Sequence, residues 1–122
     1  MSEKKRVLIA DDSKVMRESL KTILEKCHCE VVGMAENGAQ VISQYKDLKP
    51  DLITLDIVMP QLNGIDTLKT LKSIHAQVKV IMVTSLATQQ DVIKCKDLGA
   101  NYYILKPFED SKVIETIKMV TT

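Results

Sequence analysis

Val7-Leu8-Ile9-Ala10-Asp11-Asp12-Ser13 joins four consecutive apolar residues to two carboxylates and a hydroxyl. A half-solvated strand alternates apolar and polar side chains. An unbroken apolar run this short reads instead as a strand buried on both faces. Four more such runs follow: Val31-Val32-Gly33-Met34, Leu52-Ile53-Thr54-Leu55, Val80-Ile81-Met82-Val83 and Tyr102-Tyr103-Ile104-Leu105. Amphipathic stretches separate them. Val15, Met16, Leu20, Ile23, Leu24 and Cys27 recur at helical spacing among Lys and Glu, and Val41, Ile42, Tyr45 and Leu48 do so after Asn37-Gly38. Pro50 closes that second helix. Asn63-Gly64 opens a third, with Ile65, Leu68, Leu71 and Ile74. The fourth, about Gln89 to Leu98, is more weakly patterned (Val92, Ile93, Cys95, Leu98), with Gly99 suited to its C-cap. Val113, Ile114, Ile117 and Val120 mark the last. Five strands alternating with five helices predict a three-layer, doubly wound α/β domain around a parallel sheet.

With 122 residues, 45% of them hydrophobic, residues 1–122 are expected to form one domain with a true core. Seventeen Lys and Arg against 16 Asp and Glu leave a net charge of +1, which argues against a nucleic-acid partner. No apolar run approaches the ~18 residues needed to insert in a membrane, and MSEKKR leads straight into the first strand. Neither signal peptide nor anchor is expected, and three cysteines, an odd number, fit a reducing cytoplasmic setting. Cys27-His28-Cys29 suggests metal ligands, but alternate spacing with no second cluster does not close a tetrahedral site. Small residues at a helix end are the simpler reading.

In open α/β sheets chemistry collects beyond the carboxyl ends of the strands. Asp11 and Asp12 follow the first strand, Asp56 the third, Thr84 and Ser85 the fourth and Lys106 the fifth; Ala35-Glu36 after the second adds less. Taken singly, each has an ordinary explanation: a helix cap, a solvated lysine, a strand threonine. Taken together they are harder to dismiss, because adjacent first and third strands would crowd three carboxylates that then repel or take up a cation. Oxygen-only ligands on loops suit Mg2+. An acidic pocket facing one ammonium and one hydroxyl suits phosphoryl transfer. The first loop has neither GxGxxG nor GxxxxGK[ST], and two aspartates there would repel a pyrophosphate, so a nucleotide cofactor is not expected.

These residues fall in the order of a known family. From about Lys5 to Val120 the chain resembles a response-regulator receiver domain, through Asp11-Asp12 after VLIA, LDIVMPQLNGIDTL (Leu55–Leu68), VTS (Val83–Ser85) and LKPF (Leu105–Phe108). The resemblance, not the pattern, implies a flavodoxin-like (βα)5 fold with strand order 2-1-3-4-5, for which CheY is a standing example. It implies that Asp56 accepts a phosphoryl group from a sensor histidine kinase. Asp12 and Asp56 would hold Mg2+ (or Mn2+) directly with the Val58 carbonyl, and Asp11 largely through water. Lys106 and Thr84 would contact phosphoryl oxygens, with a cis Lys106-Pro107 bond. Thr84 and Tyr103 would form the switch, read out on the fourth helix, fifth strand and fifth helix. The chain would be a switch rather than an enzyme, catalysing only its own phosphorylation and dephosphorylation.

Similarity to CheY-type chains is particularly close through KPDLITLDIVMPQLNGIDTLK (Lys49–Lys69) and Gln89-Gln90. It implies a stand-alone cytoplasmic chemotaxis regulator, monomeric when unphosphorylated, signalling to the flagellar motor switch. With nothing after Thr122, no output domain is expected. The alternative is a phosphorelay intermediate serving a histidine phosphotransfer domain. Val58 and Leu86 stand two positions past Asp56 and Thr84, where many members carry polar residues. Apolar side chains there do not orient a water, so slow autodephosphorylation is expected, and Val58 counts against a phosphatase needing an amide at that position. Val58 also counts against a catalytic aspartyl phosphatase, whose acid/base carboxylate would occupy it.

Overall fold

The computed structural model describes residues 4–86 and 88–121. Along the chain run β1 (Lys5–Ala10), α1 (Lys14–Lys26), β2 (Cys29–Ala35), α2 (Gly38–Leu48), β3 (Leu52–Leu55), α3 (Gly64–Ile74), β4 (Lys79–Thr84), α4 (Gln89–Asp97), β5 (Tyr102–Leu105) and α5 (Asp110–Thr121). The five strands form one parallel sheet in the order β2-β1-β3-β4-β5. Successive strand side chains point to opposite faces, so each apolar run feeds two cores. Leu8, Ala10, Ile53, Leu55, Val80 and Met82 meet Val41, Tyr45, Leu68, Leu71 and Cys95 from α2, α3 and α4. Val7, Ile9, Leu52, Ile81, Val83 and Ile104 meet Leu20, Ile23, Leu24, Val113 and Ile117 from α1 and α5.

The expected elements are present, with shifted ends. β1, β2 and β4 run past their apolar stretches into Lys5, Arg6, Cys29, Glu30 and Lys79, because ladder hydrogen bonds are made by backbone whatever the side chain. Thr84 is the last residue of β4 rather than the first beyond it. Ser13, Asn37, Asn63 and Thr88 are the N-caps of α1 to α4, each side-chain oxygen accepting a backbone N–H of the first turn. Lys49, in the left-handed region, ends α2 just before Pro50. α4 is capped by Leu98, and Gly99, the expected cap, follows one position later with φ +96°. Cys27 caps α1 and His28 (φ 64°) makes the turn into β2, as a helix end requires.

Register sets the functional edge. Ala10 lies opposite both Ala35 and Leu55, and Thr84 lies opposite Leu105. Asp11, Glu36 and Asp56 therefore all stand one step past paired strand ends, and Lys106 one step past Leu105.

Candidate functional site

The backbone ladder continues just beyond the sheet. The Asp11 N–H donates to the Ala35 carbonyl, the Asp56 N–H to the Ala10 carbonyl and the Lys106 N–H to the Thr84 carbonyl, at 3.0, 3.1 and 2.8 Å. These three bonds fix where the side chains start. Asp11 and Asp56 are buried and Asp12 is exposed, yet one carboxylate oxygen from each lies within 4.8 Å of the others. Among the described residues no other group of three or more His, Cys, Asp or Glu is so placed. The Lys106 ammonium enters between the buried pair, 2.6 Å from Asp11 Oδ2 and 2.9 Å from Asp56 Oδ2. The Lys106-Pro107 bond is cis.

The charges are unbalanced, three carboxylates to one ammonium. Burial pushes the Asp11 carboxyl above its ordinary range; hydrogen bonds from Lys106 and the Ser13 N–H offset only part of that, and Asp56 adds to it. Burial disfavours the Lys106 ammonium too, but its bonds to Asp11 and Asp56 outweigh this and hold it above its usual value, so it stays charged. Asp12 makes no hydrogen bond or ion pair among the described residues. A dense oxygen cluster with surplus negative charge and one open carboxylate suits a hard divalent cation such as Mg2+.

Thr84 is fully buried, and its Oγ1 accepts the Leu86 N–H at 3.3 Å. The Tyr103 hydroxyl donates to the Leu86 carbonyl at 2.7 Å. Burial, with Cys95, Asp91 and Asp56 nearby, pushes the Tyr103 phenol up to about 12, so it remains a donor. The two expected switch residues thus grip opposite sides of Leu86. Val58 lies in the loop after β3, 53% exposed, with its N–H 3.3 Å from Asp56 Oδ1; Leu86 is half-buried.

The structure adds two residues that the sequence reading missed. Arg17 is buried and its guanidinium donates to the Asp11 carbonyl at 2.7 Å. The available signal was a cation where the apolar stripe of Leu20 and Leu24 should continue down α1. Gly64 lies so close to the backbone of Asp56 and Ile57 that a Cβ would collide with both. Its place at a helix start was legible, but its contact with the site was not. Cys27 and Cys29, in turn, direct their thiols at the Ile23 and Cys27 carbonyls, and burial raises the pKa of both.

Comparison with known proteins agrees with this arrangement. The family model of the response regulator receiver domain matches residues 7–118. The chain is 44% identical over 117 residues to the chemotaxis protein CheY of Thermotoga maritima, covering 96% of this chain and 98% of that protein. It is 46% identical over 112 residues to CheY of Bacillus subtilis, covering 92% and 93%. A chain of the CheX–CheY–BeF3–Mg2+ complex from Borrelia burgdorferi matches with TM-score 0.94 at 31% identity, over 97% of this chain and 90% of that one. The sheet order, the edge on which the acidic residues gather and these matches agree: the chain belongs to the response regulator receiver domain family, as a CheY-like receiver of a two-component system.

Proposed function

We propose that Asp56 is the phosphoacceptor of this receiver. The observation that carries the reading is the Lys106 ammonium, held at 2.6 and 2.9 Å between Asp11 and Asp56 with Asp12 open beside them. The donor is a phosphohistidine of a sensor kinase. An Asp56 carboxylate oxygen attacks phosphorus in line, the P–O bond forms as the P–N bond breaks, and the departing imidazole nitrogen takes a proton. Lys106 turns from the carboxylates to the phosphoryl oxygens and offsets their charge. Asp12, Asp56 and the Val58 carbonyl would hold Mg2+, with Asp11 acting through water; Mn2+ is a candidate substitute. The ion supplies neutralisation of the transferring group's charge.

The acyl phosphate then offers acceptor oxygens that a carboxylate lacks, and Thr84 donates its hydroxyl to one. Thr84 also holds the Leu86 N–H, and Tyr103 the Leu86 carbonyl, so movement of Thr84 is passed through one residue to β5. α4 suits a moving element, since only Cys95 among its residues is buried. On this reading the chain works as a cytoplasmic receiver, monomeric when unphosphorylated, whose activated α4-β5-α5 face binds a flagellar motor switch protein. No helix among the described residues is long and apolar enough to cross a membrane. Identity to CheY proteins favours chemotaxis over service to a histidine phosphotransfer domain. Apolar Val58 and Leu86 give the phosphoryl group a long lifetime, which polar replacements of both should shorten. A phosphatase, if one serves this receiver, must manage without an amide at position 58.

The test is incubation with acetyl phosphate and Mg2+, followed by intact mass, beside Asp56→Asn. A phosphoryl adduct that needs both Mg2+ and Asp56 supports the proposal. An adduct that persists in Asp56→Asn overturns the assignment of Asp56. Failure to take up either phosphoryl group or Mg2+ would mean a receiver fold without the switch chemistry.

A further inference from the structure

The buried Arg17 guanidinium is out of place by the rules of α1. Positions 17, 20 and 24 share one helix face, and Leu20 and Leu24 bury that face in the core. Arg17 is buried with them, though at 8% exposed less completely. A buried charge is costly unless paired, and its only ionic partner among the described residues is weak: Glu36 Oε1 lies 3.4 Å away on a side chain that is 61% exposed. The short, buried bond is the other one, to the carbonyl of Asp11 at 2.7 Å.

That carbonyl belongs to the peptide joining Asp11 to Asp12. A peptide is planar, so fixing its C=O fixes the N–H and Cα of Asp12 in the same plane. Asp12 needs such help, since its carboxylate makes no hydrogen bond or ion pair among the described residues and only its backbone aims it. The next residue is held as well, the Ser13 N–H donating to Asp11 Oδ1 at 2.9 Å. Lys106 fixes the other oxygen of the Asp11 carboxylate. With Arg17 the turn has three fixed points, and only Arg17 acts on the peptide plane itself.

We propose that Arg17 is a positioning residue of the acidic pocket: by clamping the Asp11–Asp12 peptide from within the core it aims the Asp12 carboxylate at the cation. The proposal rests on the reading of that pocket as a Mg2+ site. It also gives the buried guanidinium a role that packing alone does not.

The test compares Arg17→Met, which keeps volume and loses every donor, with Arg17→Lys, which keeps a charge and a donor but not the planar fork. Glu36→Gln is the control. Two quantities are measured on the whole chain: amide hydrogen exchange without any divalent cation, and Mg2+ affinity by calorimetry. Arg17→Met is expected to speed exchange at Ser13 selectively and to weaken Mg2+ about tenfold, the usual scale for a residue that supports a metal ligand. Arg17→Lys should recover most of both, and Glu36→Gln should change neither. Unaltered exchange and affinity in Arg17→Met would overturn the proposal, as would faster exchange spread evenly over the sheet, the mark of a merely structural role. A parent chain that binds no Mg2+ overturns the metal reading instead, and the exchange rates still decide whether Arg17 holds the turn.

Discussion

At the amino edge of the sheet Arg6, Lys72 and Lys79 each end on backbone carbonyls, whereas at the carboxyl edge one ammonium serves three carboxylates. Arg6 donates to the Leu48 and Lys49 carbonyls at 2.8 and 3.1 Å, where α2 ends, and its own N–H meets Asp51 Oδ2 at 2.9 Å. Lys72 reaches the Val78 carbonyl at 2.6 Å and Lys79 the Val120 carbonyl at 2.8 Å. Even the Tyr45 phenol has a partner, His75 Nδ1, at 3.0 Å. Cations at helix C-termini satisfy carbonyls that the helix leaves open. The amino edge is thus internally paired. The carboxyl edge keeps Asp12 open and negative charge in surplus, which lowers the stability of the chain alone and leaves binding energy for a cation and a phosphoryl group.

Gly64→Ala should do the most damage, because it strikes the backbone of the carboxyl edge. Gly64 donates its N–H to the Ile57 carbonyl at 2.8 Å, and an added Cβ would overlap the Asp56 carbonyl and the Ile57 Cα. Backbone cannot rotate away as a side chain does. We expect a loss of about 3 kcal/mol in denaturant midpoint experiments, the upper range for overpacking, together with weakened Mg2+ binding. A variant as stable as the parent would show that α3 shifts freely past β3, and the edge would then be less rigid than its hydrogen bonds imply.

Arg6→Ala is the matching cut at the other edge. Losing charge-assisted bonds to the Leu48 and Lys49 carbonyls should cost about 2 kcal/mol, discounted toward 1 because one of the two bonds is exposed. Mg2+ affinity should not change, since the buried run Val7-Leu8-Ile9-Ala10 separates Arg6 from Asp11. A fall in affinity alongside stability would break the division of labour between the edges.

How far the sequence shows this division depends on which part of a residue does the work. The strands are legible because five apolar runs are chemically distinct from the stretches around them, and Asp11, Asp12, Asp56 and Lys106 because they follow those runs directly. Arg17 and Gly64 are not, since each acts on the backbone of the acidic residues from another element: Arg17 by donating to a carbonyl, Gly64 by lacking a side chain. The link from Thr84 to Tyr103 is hidden for the same reason. It passes through the N–H and C=O of Leu86, groups that every residue but proline carries, so no side-chain type at position 86 announces it. Strand ends slipped similarly, because Lys5 and Arg6 pair through backbone as well as Val7 does.

The smallest expected effect is the most telling, because its sign is opposite. Asp12 is exposed and makes no ion pair among the described residues, and around it stand two carboxylates and one ammonium, beside an Arg17–Glu36 pair without net charge, leaving −1 that repels its own. Removing the Asp12 charge in Asp12→Asn should therefore stabilise the cation-free chain, by about 1 kcal/mol or less given the screening of an exposed group. Ordinary surface substitutions change stability by no more than about 0.5 kcal/mol either way. Adding Mg2+ should then reverse the order: the parent gains stability in proportion to the logarithm of the ion concentration over its dissociation constant, while the variant, lacking one ligand, gains little. The two melting curves should cross as Mg2+ is raised, and a chelator should restore the first order. If Asp12→Asn melts below the parent without a cation, the cluster is held by contacts stronger than its repulsion, and the carboxyl edge is built for stability just as the amino edge is.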